Sequence, residues 1–176
     1  MRAAVIYESM YGNTHLVAEA IADGLRSGAD ATVLAVHDAD TAALTDVDLI
    51  VVGGPTHVHG MSRASTRKAA IENAEKPGAT LELDPDAEGD GLREWFDSVA
   101  SLPRLAAAFD TRMHGPATFT GRASKGIAKR LRAHGSELLA EPQSFLVTKE
   151  NHLVDDELED ARRWGASLLA SASAAE

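Results

Sequence analysis

No cysteine occurs in the 176 residues, which excludes disulfides, thiol nucleophiles, cysteine-ligated iron–sulfur clusters and Cys-type zinc sites. Any redox chemistry must therefore come from an acquired cofactor. No apolar run approaches the ~18 residues of a membrane-spanning helix. The N-terminus has one Arg and a five-residue apolar run, Ala3–Tyr7, before Glu8. That run is too short for a signal peptide, so a cytoplasmic protein without membrane contact is expected. Positive charge is in deficit: 17 Lys and Arg against 27 Asp and Glu leave a net charge of −10. This argues against nucleic-acid binding and favours partners with basic surfaces. Two phosphate-binding signatures are also missing, the Walker loop and the Gly-x-Gly-x-x-Gly dinucleotide fingerprint.

What is present is ordinary globular composition, 44% hydrophobic and 25% charged, in a chain long enough to bury a substantial core. One domain over residues 1–170 is expected, with 171–176 a frayed tail. Short apolar runs at Ala3–Tyr7, Thr32–Val36, Leu49–Val52, Leu105–Phe109 and Phe145–Val147 read as buried strands. Between them, Val17, Ala20, Ile21, Gly24 and Leu25 line one face of a first helix closed by Gly28. Alternating strands and helices imply a parallel sheet covered on both faces, an α/β/α architecture. A helix over about Ser62–Glu75 and an amphipathic segment Leu92–Leu102 flank an acidic, Gly/Pro-punctuated loop, Pro77–Gly91, expected as a surface excursion near a ligand. Arg122, Lys125, Lys129, Arg130 and Arg132 give a basic helix, and the acids Asp155–Asp160 open the last one, complementing its dipole.

The first strand runs into Ser9-Met10-Tyr11-Gly12-Asn13-Thr14, and the first helix follows at once. Helix N-termini leave N–H groups unpaired and carry partial positive charge, so a turn rich in hydroxyls and glycine there seats a phosphate. The turn contains no Lys or Arg, which leaves the work to neutral donors. It resembles the FMN phosphate loop of the flavodoxin family, which has this Ser/Thr-x-x-Gly-Asn-Thr form. The resemblance, which extends from Arg2 to about Leu169, implies a flavodoxin-like doubly wound five-stranded parallel sheet in the order 2-1-3-4-5. Ligands would then sit at the carboxyl ends of the strands beside the switch point.

Two further strand ends extend the resemblance. Gly53-Gly54-Pro55-Thr56-His57-Val58-His59-Gly60 is similar to the family's Gly-x-Pro-Thr-Trp-x-x-Gly loop beside the isoalloxazine ring. Pro55, Thr56 and Gly60 match, and His57 stands where Trp is common. An imidazole covers less of a flavin than an indole. The family's flipping peptide maps to Val58–His59, with Gly60 expected to supply its backbone freedom. The third loop corresponds to Asp110-Thr111-Arg112-Met113-His114-Gly115. It has no Tyr for the other ring face, so Met113 or His114 is the substitute, and Asp110 with the following N–H groups is expected on the ribityl chain or pyrimidine edge. His57-x-His59 lacks a third ligand within its motif, so pocket-lining histidines are expected there and no metal is assigned. Their ordinary pKa of about 6.5 makes His57, His59 and His114 expected titrating groups near neutrality.

The resemblance implies an FMN-binding electron carrier working between a reductase and an acceptor enzyme, with no catalytic dyad of its own. An FMN-dependent NAD(P)H:quinone reductase is the alternative, with Arg63, Arg67 and Lys68 placed to receive nucleotide phosphates. A flavodoxin-like binding or regulatory module without flavin is the third reading, motivated by the absent stacking aromatics.

Overall fold

The computed structural model describes residues 1–175. In chain order the elements are β1 (Arg2–Tyr7), α1 (Asn13–Leu25), β2 (Asp30–Ala35), a 3₁₀ turn (Val36–Asp38), β3 (Leu49–His57), β4 (Gly60–Met61), α2 (Ala64–Ala74) and α3 (Leu92–Ser98). There follow β5 (Leu105–Met113), α4 (Ala117–Thr120), α5 (Ala123–Ala133), β6 (Glu137–Leu138), β7 (Gln143–Val147) and α6 (Glu157–Ala174). The main sheet is parallel, ordered β2-β1-β3-β5, with β5 bounded by a fifth position. That position, expected to be one strand, is split. β6 pairs the start of β5 at Leu105–Ala106, and β7 pairs its end at Phe109–Met113.

The central strands are apolar throughout because both faces are covered. Ala3, Val5, Tyr7, Leu49, Val51, Ala107 and Phe109 pack toward α1 and α6. Ala4, Ile6, Ile50, Val52, Ala106 and Ala108 pack toward α3 and α5. Phe109, Phe145 and Trp164 meet edge to face under α6, with centroids 6.1–6.5 Å apart. Small residues let α1 and α6 cross with their backbones in contact: a methyl group on Gly165 would overlap the Ile21 carbonyl oxygen, and one on Gly24 the Arg162 carbonyl oxygen.

Several boundaries differ from expectation. β3 continues through Gly53, Gly54 and Pro55 to His57, and β5 continues through Asp110–Arg112 to Met113. The parallel register that pairs Gly54 with Asp110 and Pro55 with Thr111 carries both strands past their apolar runs. The tail expected to fray is helical to Ala174, because Ala172 is fully buried against the α1 side of the core; Glu176 lies outside the described residues. No helix among the described residues is long and apolar enough to cross a membrane.

Candidate functional site

The first turn is built on Gly12, whose φ of 89° lies in the left-handed region that only glycine enters without cost. Glu8 N–H donates to the Gly53 carbonyl at 3.0 Å, pinning the end of β1 to β3. Gly12 N–H donates to Ser9 Oγ at 3.1 Å, which folds the turn back on itself. Leu16 N–H is the first to find a helical acceptor, the Gly12 carbonyl. Among the described residues the N–H groups of Asn13, Thr14 and His15 have no hydrogen-bond acceptor. The result is a seat of convergent neutral donors at the positive end of a 13-residue helix.

The open side of this turn faces a cleft of about 290 Å³. The cleft brings together Ser9, Met10, Tyr11, Asn13 and Thr14 of the first turn, Pro55, Thr56 and His57 from the end of β3, and Thr111, Arg112 and Met113 from the end of β5. Thr14 Oγ1 and Thr111 Oγ1 are 2.7 Å apart, joining the turn to β5. Arg112 donates to the Gly115 carbonyl at 2.8 Å and to Thr120 Oγ1 at 3.0 Å, so its guanidinium braces the third loop.

Five lining residues went unassigned to the site in the sequence: Leu81, from the acidic loop, Val147, at the end of β7, and Thr148, Lys149 and Asn151, from the turn after it. Asn13 Nδ2 donates to the Asn151 carbonyl at 2.9 Å and to its Oδ1 at 3.0 Å, closing that turn over the first. The only local signal is Asn151 itself, a residue tolerant of its φ of 62°.

Other expected residues lie elsewhere. Gly12 shapes the turn without lining the cleft. Asp110 is a correction. Strand alternation turns it away from the cleft, fully buried, where Oδ2 accepts the Ser124 N–H at 2.7 Å and caps the start of α5. Thr56 Oγ1 caps the same helix by accepting the Ala123 N–H at 2.9 Å. His114 and Gly115 do not line the cleft; His114 N–H bonds to the Val147 carbonyl at 2.8 Å.

Val58, His59 and Gly60 line a second cavity of about 310 Å³, separated from the first by His57. Here β3 and β4 form a two-residue hairpin in which His57 pairs with Gly60. Val58 and His59 have φ of 45° and 70°, the sign pattern of a type I′ turn. The freedom expected of Gly60 is not used, since its φ is not positive; the left-handed residues are the two before it. The tip rests on Gly121, where any Cβ would overlap the His59 backbone.

Beneath the hairpin runs a buried polar chain. Glu8, 5% exposed, accepts from the Ser62 hydroxyl and, at 2.8 Å, from the Leu92 N–H. Arg67 donates to Ser62 Oγ at 3.2 Å and to Glu94 at 3.0 Å. Burial raises the pKa of Glu94, but backbone hydrogen bonds and the Arg67 charge outweigh it and hold the carboxyl below its ordinary value. Arg67 is therefore committed to this network, correcting the expectation that it meets a ligand's phosphates, while Lys68 lies exposed on α2, 3.8 Å from Glu72. Arg63 does line the second cavity, with Arg93. His57 stands over the network, with Nδ1 3.3 Å from Thr66 Oγ1. Burial lowers its pKa, Arg67 adds to that, and Glu8 only partly opposes it. His57 is thus neutral at pH 7, not the neutrality switch its type suggests.

The family model described as Flavodoxin matches residues 5–93. Curated proteins give no match. Among solved structures, a flavodoxin from the domain Archaea aligns with a TM-score of 0.65 at 23% identity, covering 98% of this chain and 99% of the other. Oxidised Flavodoxin 1 from Bacillus cereus aligns at 0.65 and 19% identity, over 97% and 98%. A flavodoxin, WrbA-like protein from Agrobacterium tumefaciens aligns at 0.60 and 23%, over 99% of each chain.

Proposed function

The chain belongs to the flavodoxin family, and on that premise we propose that it is an FMN-dependent electron carrier working between a reductase and an acceptor enzyme. The observation that carries this reading is the set of three unbonded N–H groups at Asn13–His15, opening on a cleft that β3 and β5 complete. They suit a terminal phosphate, since buried or semi-buried donors without acceptors favour an anion. FMN is the cofactor of this family, and the residues fit it. The N–H groups of Asn13, Thr14 and His15, in the turn that Gly12 shapes, would hold the phosphate with the Ser9 and Thr14 hydroxyls, and Pro55–His57 and Thr111–Met113 would stand on either side of the ring system.

When bound, FMN supplies one- and two-electron redox chemistry that the side chains of a cysteine-free protein lack. The chain's own residues bind and orient. Thr14 and Thr111 tie the seat to β5, the Arg112 brace holds the third loop, and neutral His57 forms a wall of the cleft without adding charge. One domain carries all of this, and the net charge of −10 supports docking to basic partners.

The second reading, a flavin-dependent NAD(P)H:quinone reductase, draws on the cavity beside His57 with its two arginines, Arg63 and Arg93. Purified protein reconstituted with FMN separates the readings. A carrier takes up one equivalent of FMN and is reduced by NADPH only when a ferredoxin- or flavodoxin-type reductase is added. Bleaching of the bound flavin by NADPH alone would replace the carrier by the enzyme. Failure to take up FMN would leave the flavin-less module.

A further inference from the structure

Against the first turn, outside the residues that line the cleft, five titratable side chains converge. His15, Asp84 and Asp86 each point one ligand atom into a space where these atoms lie within 4.8 Å of one another. His15 Nδ1 is 3.3 Å from Asp84 Oδ2. Two ligands bound about 2.0–2.1 Å from a tetrahedral zinc ion stand about 3.3 Å apart. Tyr7 donates its hydroxyl to Asp86 Oδ2 at 2.6 Å and lies 3.2 Å from His15 Nδ1. His37 Nε2 is 3.7 Å from Asp86 Oδ1. We propose that His15, Asp84 and Asp86 form a binding site for one divalent transition-metal ion of zinc type, with His37 at hand as a further ligand.

Charge is the first ground. Among the described residues no Lys or Arg lies within ion-pair distance of Asp84 or Asp86; their only basic neighbours are His15 and His37. Two carboxylates without a guanidinium or ammonium partner are matched by one divalent ion. Asp84 supplies the second ground. Its side chain is 1% exposed. Oδ1 accepts the Asp86 N–H at 2.9 Å, which fixes the carboxylate, while Oδ2 has no donor but the His15 ring. A buried carboxylate whose second oxygen faces only an imidazole is a ready ligand for a cation.

The surroundings are those of an oriented ligand set. Tyr7 stacks on the His15 ring, with centroids 4.3 Å apart and planes at 20°, and its hydroxyl aligns Asp86 as outer-shell partners do. With nitrogen and oxygen donors and no sulfur, the site suits Zn²⁺, Co²⁺ or Mn²⁺ better than thiophilic ions. Asp84 N–H donates to the Met10 carbonyl at 2.8 Å, so an ion here would also fasten the acidic loop to the first turn.

The test uses the full chain, stripped with a chelator, and ZnCl₂ in isothermal titration without flavin, so it is independent of the functional reading. One equivalent should bind, at least tenfold more weakly in His15→Gln and in the near-isosteric Asp84→Asn, and unchanged in the surface control His152→Gln. Should either variant fail to fold, Mn²⁺ added to the wild type gives a second measurement. Paramagnetic broadening of amide resonances should centre on His15, Asp84 and Asp86. Zinc binding unaffected by both substitutions, no stoichiometric binding at millimolar zinc, or broadening centred elsewhere would each overturn the site.

Discussion

The first turn lines the cleft and the β3–β4 hairpin turns beside it, beyond His57, and the two solve the same backbone problem in opposite ways. At the first turn the left-handed residue is Gly12, with φ 89°; residue type and geometry agree. At the hairpin the left-handed residues are Val58 and His59, while the adjacent Gly60 has ordinary φ. A β-branched residue with positive φ is a genuine outlier, costing about 1–3 kcal/mol that the surroundings must supply. They do so through Gly121, which admits the His59 backbone, and through the His57–Gly60 pairing. The turn that lines the cleft is relaxed, and the hairpin beyond His57 is under strain. Strain of this kind collects where a segment must change conformation, and Val58–His59 is where the family resemblance puts the flipping peptide.

The sharpest way to break the relaxed side is Gly12→Val. The left-handed φ resists any Cβ and most of all a branched one, so the N–H groups of Asn13–His15 lose their common direction. FMN affinity should fall by at least a hundredfold, about 2.8 kcal/mol. Isothermal titration reads this directly, and unchanged affinity would remove the phosphate assignment.

On the strained side, Gly121→Ala should cost about 2–3 kcal/mol of stability, combining overpacking with a positive-φ penalty. Its φ is 77° and the new methyl group meets the His59 backbone. The hairpin must then lift away, so amide exchange should quicken at residues 57–61 and stay slow in β1. Uniform loss of protection would mean that the hairpin is not an independent element.

How far each element can be read from sequence follows from the same contrast. The first turn is legible because its geometry is set within Ser9–Thr14, by residues whose preferences agree with it. The sheet is legible because its central strands are buried on both faces and therefore apolar throughout. Asp110 is misread because β5 runs four residues beyond its apolar stretch, and period-two alternation then sends the carboxylate under α5. Asn151 is invisible because its partner Asn13 is 138 residues away. The chain Glu8–Ser62–Arg67–Glu94 joins three separate segments, none distinctive alone. The hairpin hides because its sequence argues against the turn it makes.

Relieving the strain sharpens the comparison from the other direction. Replacing Val58-His59 by Asn-Gly supplies the residues that a type I′ turn prefers. Val58 is 82% exposed, so little packing is lost. Relief of the positive-φ strain outweighs the unfolded-state entropy that glycine adds, so stability should rise by about 1 kcal/mol, moving Tm up by about 2–4 °C in a chain of this size. If the strain serves a conformational change, the same variant should bind FMN normally yet respond differently to its reduction, seen as altered affinity for the reduced form alone.

The smallest effect expected is the pH dependence contributed by His57. Burial lowers its folded-state pKa, while the unfolded chain titrates near the ordinary value of about 6.5. Below that pH the unfolded state takes up a proton that the folded state refuses, so stability rises with pH through this window and is lost as pH falls. The contribution is fully present above about pH 6.5 and declines toward the lowered folded value. His57→Gln keeps a polar group opposite Thr66 but does not titrate, so its stability should fall less steeply below pH 6.5 than that of the wild type. Chemical denaturation at intervals from pH 7.5 down to 5 measures the two slopes. Parallel curves would mean that His57 accepts its proton without loss of fold, and the wall it forms would then be looser than its contacts with Thr66 and the Glu8–Arg67 network imply.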